Sequence, residues 1–229
     1  MIGQVQKPFE EIVGYLEGKE KIVLIGCGAC ATVFHTGGEQ EVKKMAETLK
    51  KYGKNILAAI GIPFGVFTCY APMIKEQVDP YRREIEECDA ILMMSCGDGL
   101  QNVRENILEK EYGLVKPIYP ANNALGHMGG GPTLFRKECE QCGECELGRF
   151  AGICPMVQCA KGLLNGPCGG AKNGKCEVDP DKDCAWELIY KRLKELEEID
   201  KMKEIQPPKD WSKSQMWRLT VEPEEVKRR

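Results

Sequence analysis

The stretch from Cys139 to Cys184 carries eight of the thirteen cysteines, at positions 139, 142, 145, 154, 159, 168, 176 and 184. It constrains the chain more than any other feature. Between the thiols the segment is polar and rich in glycine, so it has too little apolar material to fold around a core of its own. Metal binding would supply the missing folding free energy. Its opening, Cys139-x2-Cys142-x2-Cys145, has the ferredoxin-like spacing that lets three thiolates meet one iron–sulfur cube, and Cys154-Pro155 repeats the Cys-Pro step that closes such runs. Four thiolates suit one [4Fe–4S] cluster, so the eight suit two. Structural zinc is the alternative, since Cys154-x4-Cys159 resembles a zinc pair. A triple Cys-x2-Cys-x2-Cys, however, has one thiol too many for a simple pair. Disulfides fit least, because the cysteine total is odd and no secretory signal is present.

The rest of the chain reads as alternating strands and helices. Residues 1–20 are expected to form a lead-in helix, with Phe9, Ile12, Val13 and Leu16 at helical spacing. Apolar runs at Lys21–Gly26, Asn55–Ile62 and Ala90–Ser95 read as buried strands, and Lys116–Tyr119 leads a fourth. Helices are expected over Gly38–Tyr52, over Ala71–Cys88 with a break at Pro80, and over Asn102–Glu111. The pattern implies an α/β domain with a doubly wound parallel sheet over residues 1–132. A cysteine-rich, ferredoxin-like metal-binding region follows over 133–203. It closes on a helix with Trp186, Ile189, Leu193, Leu196 and Ile199 in one stripe. An extended tail, 204–229, carries Trp211 and Trp217, and it either runs over the body of the protein or anchors a partner.

In such sheets the site lies beyond the carboxyl ends of the strands. Cys27 and Cys30 follow the first strand, Cys69 falls in the loop after the second and Cys96 ends the third, so these four are expected to converge on a third cluster. Cys88 precedes the third strand at the opposite edge and is left over as a buried thiol. The competing view treats all of these as small apolar core residues. Gly26-Cys27-Gly28-Ala29-Cys30-Ala31 also matches the dinucleotide pattern G-x-G-x-x-A, but no acidic residue ends the second strand. The glycines are then explained by close backbone approach to a cluster. His35 and His127 are expected in loops at the same edge, as hydrogen-bonding residues rather than ligands.

A net charge of -3 and a pI near 5.7 argue against a nucleic-acid binder. No apolar run reaches the roughly 18 residues of a membrane span. The first residues lack the basic and apolar blocks of a signal peptide, so a cytoplasmic location is expected. No acid–base pair, nucleophile triad or phosphate loop stands out, which favours electron carriage over catalysis.

The segments NGPCGG, GKCEV and CAWELIYKRL, together with GCGACATVFHTGGEQEV and SCGDGLQ, resemble the small cysteine-rich subunit of the two-subunit methylenetetrahydrofolate reductases of acetogenic and other anaerobic bacteria. The resemblance implies a flavin-bearing (β/α)8-barrel partner that makes methyltetrahydrofolate. It also implies iron–sulfur clusters in this chain and a place in the methyl branch of the reductive acetyl-CoA (Wood–Ljungdahl) pathway. On that basis the chain is expected to be inert alone. It would pass low-potential electrons from ferredoxin or a larger redox complex to the partner's flavin. The alternatives are a structural zinc-binding assembly subunit of the same enzyme and a stand-alone nicotinamide-binding oxidoreductase. The resemblance does not say which cysteines share a cluster.

Overall fold

The structure, a computed structural model, describes residues 1–131 and 134–214. The chain divides into two compact units, Met1–Gly126 and His127–Arg229.

The first unit is built on a four-stranded parallel sheet of β2 (Lys21–Ile25), β3 (Asn55–Ile60), β4 (Ala90–Met93) and β5 (Ile118–Pro120), in the order β3-β2-β4-β5. β2 sits inside the sheet, paired with β3 on one side and β4 on the other. Its alternate residues face opposite ways, and both faces are covered, as the continuous apolar runs require. Ile22 and Leu24 pack with Leu92 and Met94 under α1 (Phe9–Tyr15) and α3 (Glu39–Lys51). Val23 and Ile25 pack with Ile91 and Met93 under α4 (Ala71–Val78) and α5 (Arg82–Glu87), together with the helical segment after β4. A short helix, α2 (Cys30–Val33), lies between β2 and α3. In α3, Val42, Met45, Ala46 and Leu49 are buried, while Glu39 and Glu41 in its first turn and Lys50 and Lys51 in its last oppose the helix dipole.

Three local expectations change. Residues 1–20 are not one helix: β1 (Ile2–Gln6) precedes α1 and pairs with β6 (Asn122–His127). The cause is Pro8, which disfavours helical backbone at the residue before it and so holds Lys7 extended. The helix after β4 begins earlier than expected, as α6 (Gly97–Asn102), and runs on as a π-helix over Val103–Glu111. His127 ends β6 instead of lying in a loop. The expected break at Pro80 is present, as a 3-10 turn over Asp79–Tyr81 between α4 and α5.

The second unit has little regular structure. β7 (Gly129–Gly130) and β8 (Phe135–Arg136) form a minimal antiparallel pair, and α7 (Pro155–Gln158) is a single turn. Its core consists of Phe150, Trp186, Ile189 and Leu193, with Ile153, Leu164, Ile199 and Met202 against it. Trp186 and Ile189 project from α8 (Ala185–Glu195); the Trp186 Nε1–H donates to the Leu163 carbonyl at 3.1 Å, and its ring meets Phe150 edge-on. The expected stripe stops short: α8 ends at Glu195, a left-handed Glu197 follows, and Leu196 is exposed. Among the described residues no helix is long and apolar enough to cross a membrane.

Leu92, on β4, is fully buried between the sheet and the helices over it. Leu92→Ala is expected to cost about 2–5 kcal/mol, read as a lower urea midpoint for unfolding of the sheet.

Candidate metal centres

β2 lies next to β4, while β3 lies on its other side, so the sheet grows in opposite directions from β2. The crevice beyond the carboxyl ends of β2 and β4 is therefore a topological switch point, where such sheets hold ligands. Cys27 follows β2 across that crevice from Cys96, which follows β4. The loop after β3 brings Cys69 to the same place, and three contacts fix it there. The fully buried Thr68 donates its hydroxyl to the Gly26 carbonyl at 2.9 Å, Asn102 Nδ2 donates to the Thr68 carbonyl at 2.8 Å, and Gly65 N–H donates to the Gly28 carbonyl at 2.8 Å. Gly28 is needed for this meeting, because a Cβ there would stand 1.8 Å from the Pro63 carbonyl oxygen.

Cys27 and Cys96 are buried, while Cys69 is exposed as a residue. Loss of water around its sulfur, followed by the neighbouring Cys96 and Cys27 thiols and Asp98, pushes the Cys69 thiol above its ordinary pKa. Burial pushes Cys96 up as well, against the backbone N–H groups of Gly99 and Asp98 that point at its sulfur. Cys30 is placed differently. Its sulfur accepts the Ile2 N–H at 3.3 Å, on the side of β1. Cys88 lies buried at the far edge, its sulfur against the Ile85 carbonyl, and burial raises its pKa.

The eight cysteines of the second unit sort into two groups. Cys139, Cys142, Cys145 and Cys154 line one cavity of about 180 Å³, walled also by Pro155, Met156 and Leu164. Cys159, Cys168, Cys176 and Cys184 line another of about 20 Å³, beside Trp186. Between Cys145 and Cys154 the chain turns back through left-handed Ala151 and Gly152, and Cys154 then caps α7. Burial raises the Cys154 pKa, opposed by the N–H groups of Val157 and Met156, with Cys142 and Cys139 close enough to add to the rise. Backbone N–H groups also reach sulfur at Gln141→Cys139, 3.3 Å, and Gly170→Cys168, 3.4 Å. Among the described residues, no three His, Cys, Asp or Glu side chains form a group that could hold a single metal ion.

The first part of the tail runs over the first of these cavities. Lys209, whose side chain is only 5% exposed, lines it and donates to the Glu144 carbonyl. Lys213 pairs with the Glu144 carboxylate, and Ser214 donates to the Gln141 carbonyl at 3.0 Å. Trp211 is partly exposed, and Trp217 lies outside the described residues. Lys209 and Asp98 are the functional candidates that sequence reading missed. Lys209 is more than fifty residues from the thiols it approaches, and nothing local marks it. Asp98 had a signal, its place in SCGDG beside Cys96.

The remaining candidates fall away from the thiols. His127 Nδ1 lies 2.6 Å from Gln141 Nε2, and the exposed His35 faces Glu41 at 3.7 Å. His35, Lys7 and Lys44 line a groove of about 560 Å³ that holds no cysteine. As for the dinucleotide pattern, α2 has only four residues and Gly28 is occupied by its approach to Pro63, which leaves little helix terminus for a pyrophosphate.

Residues 119–212 match a family model described as "Methylene-tetrahydrofolate reductase C terminal". The matched stretch contains all eight thiols of the second unit, and Cys27, Cys30, Cys69 and Cys96 lie outside it. No curated protein and no solved structure matches the chain.

Gly143 holds φ +75°, and a Cβ on it would stand 1.9 Å from the Lys213 carbonyl oxygen. Gly143→Ala is therefore expected to loosen the tail by about 1–3 kcal/mol. Trypsin cleavage after Lys209 or Lys213 should rise roughly tenfold, with cleavage within α8 unchanged.

Proposed function

We propose that this chain is an iron–sulfur electron-transfer subunit of a methylenetetrahydrofolate reductase, working with a separate flavin-bearing catalytic subunit. One observation carries the reading: within the stretch similar to the reductase C-terminal family, eight cysteines surround two cavities four at a time. Cys139, Cys142, Cys145 and Cys154 would hold one cluster, and Cys159, Cys168, Cys176 and Cys184 a second. Cys27, Cys30, Cys69 and Cys96 would hold a third at the sheet edge. A bound [4Fe–4S] cluster supplies one-electron transfer at a potential set by charge, burial and hydrogen bonds to sulfur. The chain's own residues act on those terms. N–H groups of Gln141, Met156, Val157 and Gly170 reach thiol sulfurs and would stabilise added negative charge. The buried Lys209 ammonium does the same from the side of the tail and would raise the potential of the first site. Met156, Leu164 and Pro155 limit water there. Because burial raises the Cys69, Cys96 and Cys154 pKa values, the empty thiols stay protonated near neutral pH, and loading them releases protons.

The alternative is structural zinc at these thiols, as the zinc-type spacing Cys154-x4-Cys159 suggests.

The test is reconstitution with the flavin-bearing partner. The isolated chain should show no reductase activity. The partner alone should turn over with a small artificial dye and should need this chain to accept electrons from reduced ferredoxin. Cys142→Ser and Cys176→Ser should each remove a different spectroscopic signal and abolish ferredoxin-driven turnover, with dye-driven turnover intact. A partner that takes ferredoxin electrons equally well without this chain contradicts the electron-transfer reading and favours structural zinc.

A further inference from the structure

Three thiols of the first cavity, Cys139, Cys142 and Cys145, come from one short loop, and the tail grips that loop from outside. We infer that the tail segment 206–214 is a strap that holds the loop in its thiol-presenting form, with Lys209, Lys213 and Ser214 as positioning residues, so that strap docking and metal loading of the first cavity favour each other. The inference rests on the reading of this cavity as a metal site and concerns what prepares it, whichever metal it takes.

The loop has little of its own to hold it. No helix or strand runs through 139–146. Gln141 stands at φ +56°, a region that L side chains adopt rarely, and Gly143 follows at φ +75°. The strap supplies contacts in both intervals of Cys139-x2-Cys142-x2-Cys145. In the first interval the buried Ser214 donates its hydroxyl to the Gln141 carbonyl at 3.0 Å. In the second, Lys209 donates to the Glu144 carbonyl and Lys213 pairs with the Glu144 carboxylate. The Lys213 carbonyl also lies so close to Gly143 that only a glycine fits there.

The strap is itself tethered. The Gln206 N–H donates to Asn165 Oδ1 at 2.7 Å, and Asn165 Nδ2 donates back to the Gln206 carbonyl at 2.9 Å. Asn165 follows Leu164, a wall of the same cavity. Among the described residues, none of the strap lines the second cavity. All of these bonds join protein groups, so they shape the loop before any metal arrives. Metal that enters a loop already shaped loses less to conformational ordering. By reciprocity, metal in the first cavity must tighten the strap by the same factor.

The test reads that coupling in both directions. The full chain, purified without oxygen, is digested briefly with trypsin, as isolated and after metal removal by a chelator. Cleavage after Lys209 and Lys213 should rise about fivefold or more on metal removal, with cleavage within α8 unchanged. Cys142→Ser should match the stripped chain, and Cys176→Ser should match the loaded parent. In the other direction, Ser214→Ala and Lys213→Ala should each speed metal loss to the chelator several-fold and weaken the spectroscopic signal that Cys142→Ser removes. The signal that Cys176→Ser removes should persist. Lys213→Arg keeps the pairing with Glu144 and should behave as the parent.

Equal cleavage after Lys209 and Lys213 in loaded and stripped chains overturns the inference. So does metal loss that neither Ser214→Ala nor Lys213→Ala alters. Cleavage that rises equally within α8 marks unfolding of the whole unit and counts against a specific strap. If Cys142→Ser leaves metal content unchanged, the metal-site reading itself fails, and the coupling falls with it.

Discussion

The hydroxyl of Thr68, fully buried and bonded to the Gly26 carbonyl, is the contact on which the first unit's thiol arrangement depends. With the Asn102 and Gly65 bonds it sets the height of the long loop after β3 above the sheet and brings Cys69 towards Cys27. The bond is possible because β2 and β3 run parallel and end side by side. It is durable because it is shielded from water, where an unpaired carbonyl or hydroxyl is costly. β4, on the other side of β2, then delivers Cys96 to the same crevice. Strand order and these hydrogen bonds thus bring three positions far apart in sequence to one edge of the sheet.

The second unit depends on different physics. Of its four buried core residues, Trp186, Ile189 and Leu193 come from α8, and Phe150 packs against them. Cys159 and Cys184 pack against that core, and the thiol-bearing turns are shaped by left-handed residues such as Gln141, Gly143 and Asn173. Such a segment has little apolar burial to set against its conformational entropy. In the account proposed here, thiolate–metal bonds make up the difference. The tail adds a second constraint through Lys209, Lys213 and Ser214, each bonded to the loop between Cys139 and Cys145. Lys209 is held there by the Glu146 carboxylate at 3.5 Å as well as by the Glu144 carbonyl.

Much of the first unit was legible in its sequence. Lys21–Ile25 and Ala90–Met93 are short, wholly apolar and bounded by turn residues, so their burial on both faces could be read directly. The carboxyl-edge rule then located Cys27, Cys69 and Cys96 together. β1 was missed although Pro8 signalled it, because the helical spacing of Phe9 to Leu16 was extended backwards past the proline. For Cys30, spacing places the backbone near the crevice but does not foretell that its sulfur accepts the Ile2 N–H. In the second unit the pairing of thiols was not legible, since Cys154 precedes a proline as the ligand of a neighbouring cluster does in bacterial ferredoxins. The turn through Ala151 and Gly152 instead returns it to the cavity of Cys139, Cys142 and Cys145. Helical spacing likewise extended the apolar stripe through Leu196 to Ile199, whereas α8 ends at Glu195 and Ile199 reaches the same core from a separate 3-10 turn.

The central claim is that thiolates gathered at the sheet edge and around the two cavities hold iron–sulfur clusters. Counting iron, acid-labile sulfide and zinc per chain in protein purified without oxygen tests it most directly. Three cubes predict about twelve irons with matching sulfide and no zinc. Stoichiometric zinc with no acid-labile sulfide would contradict the account.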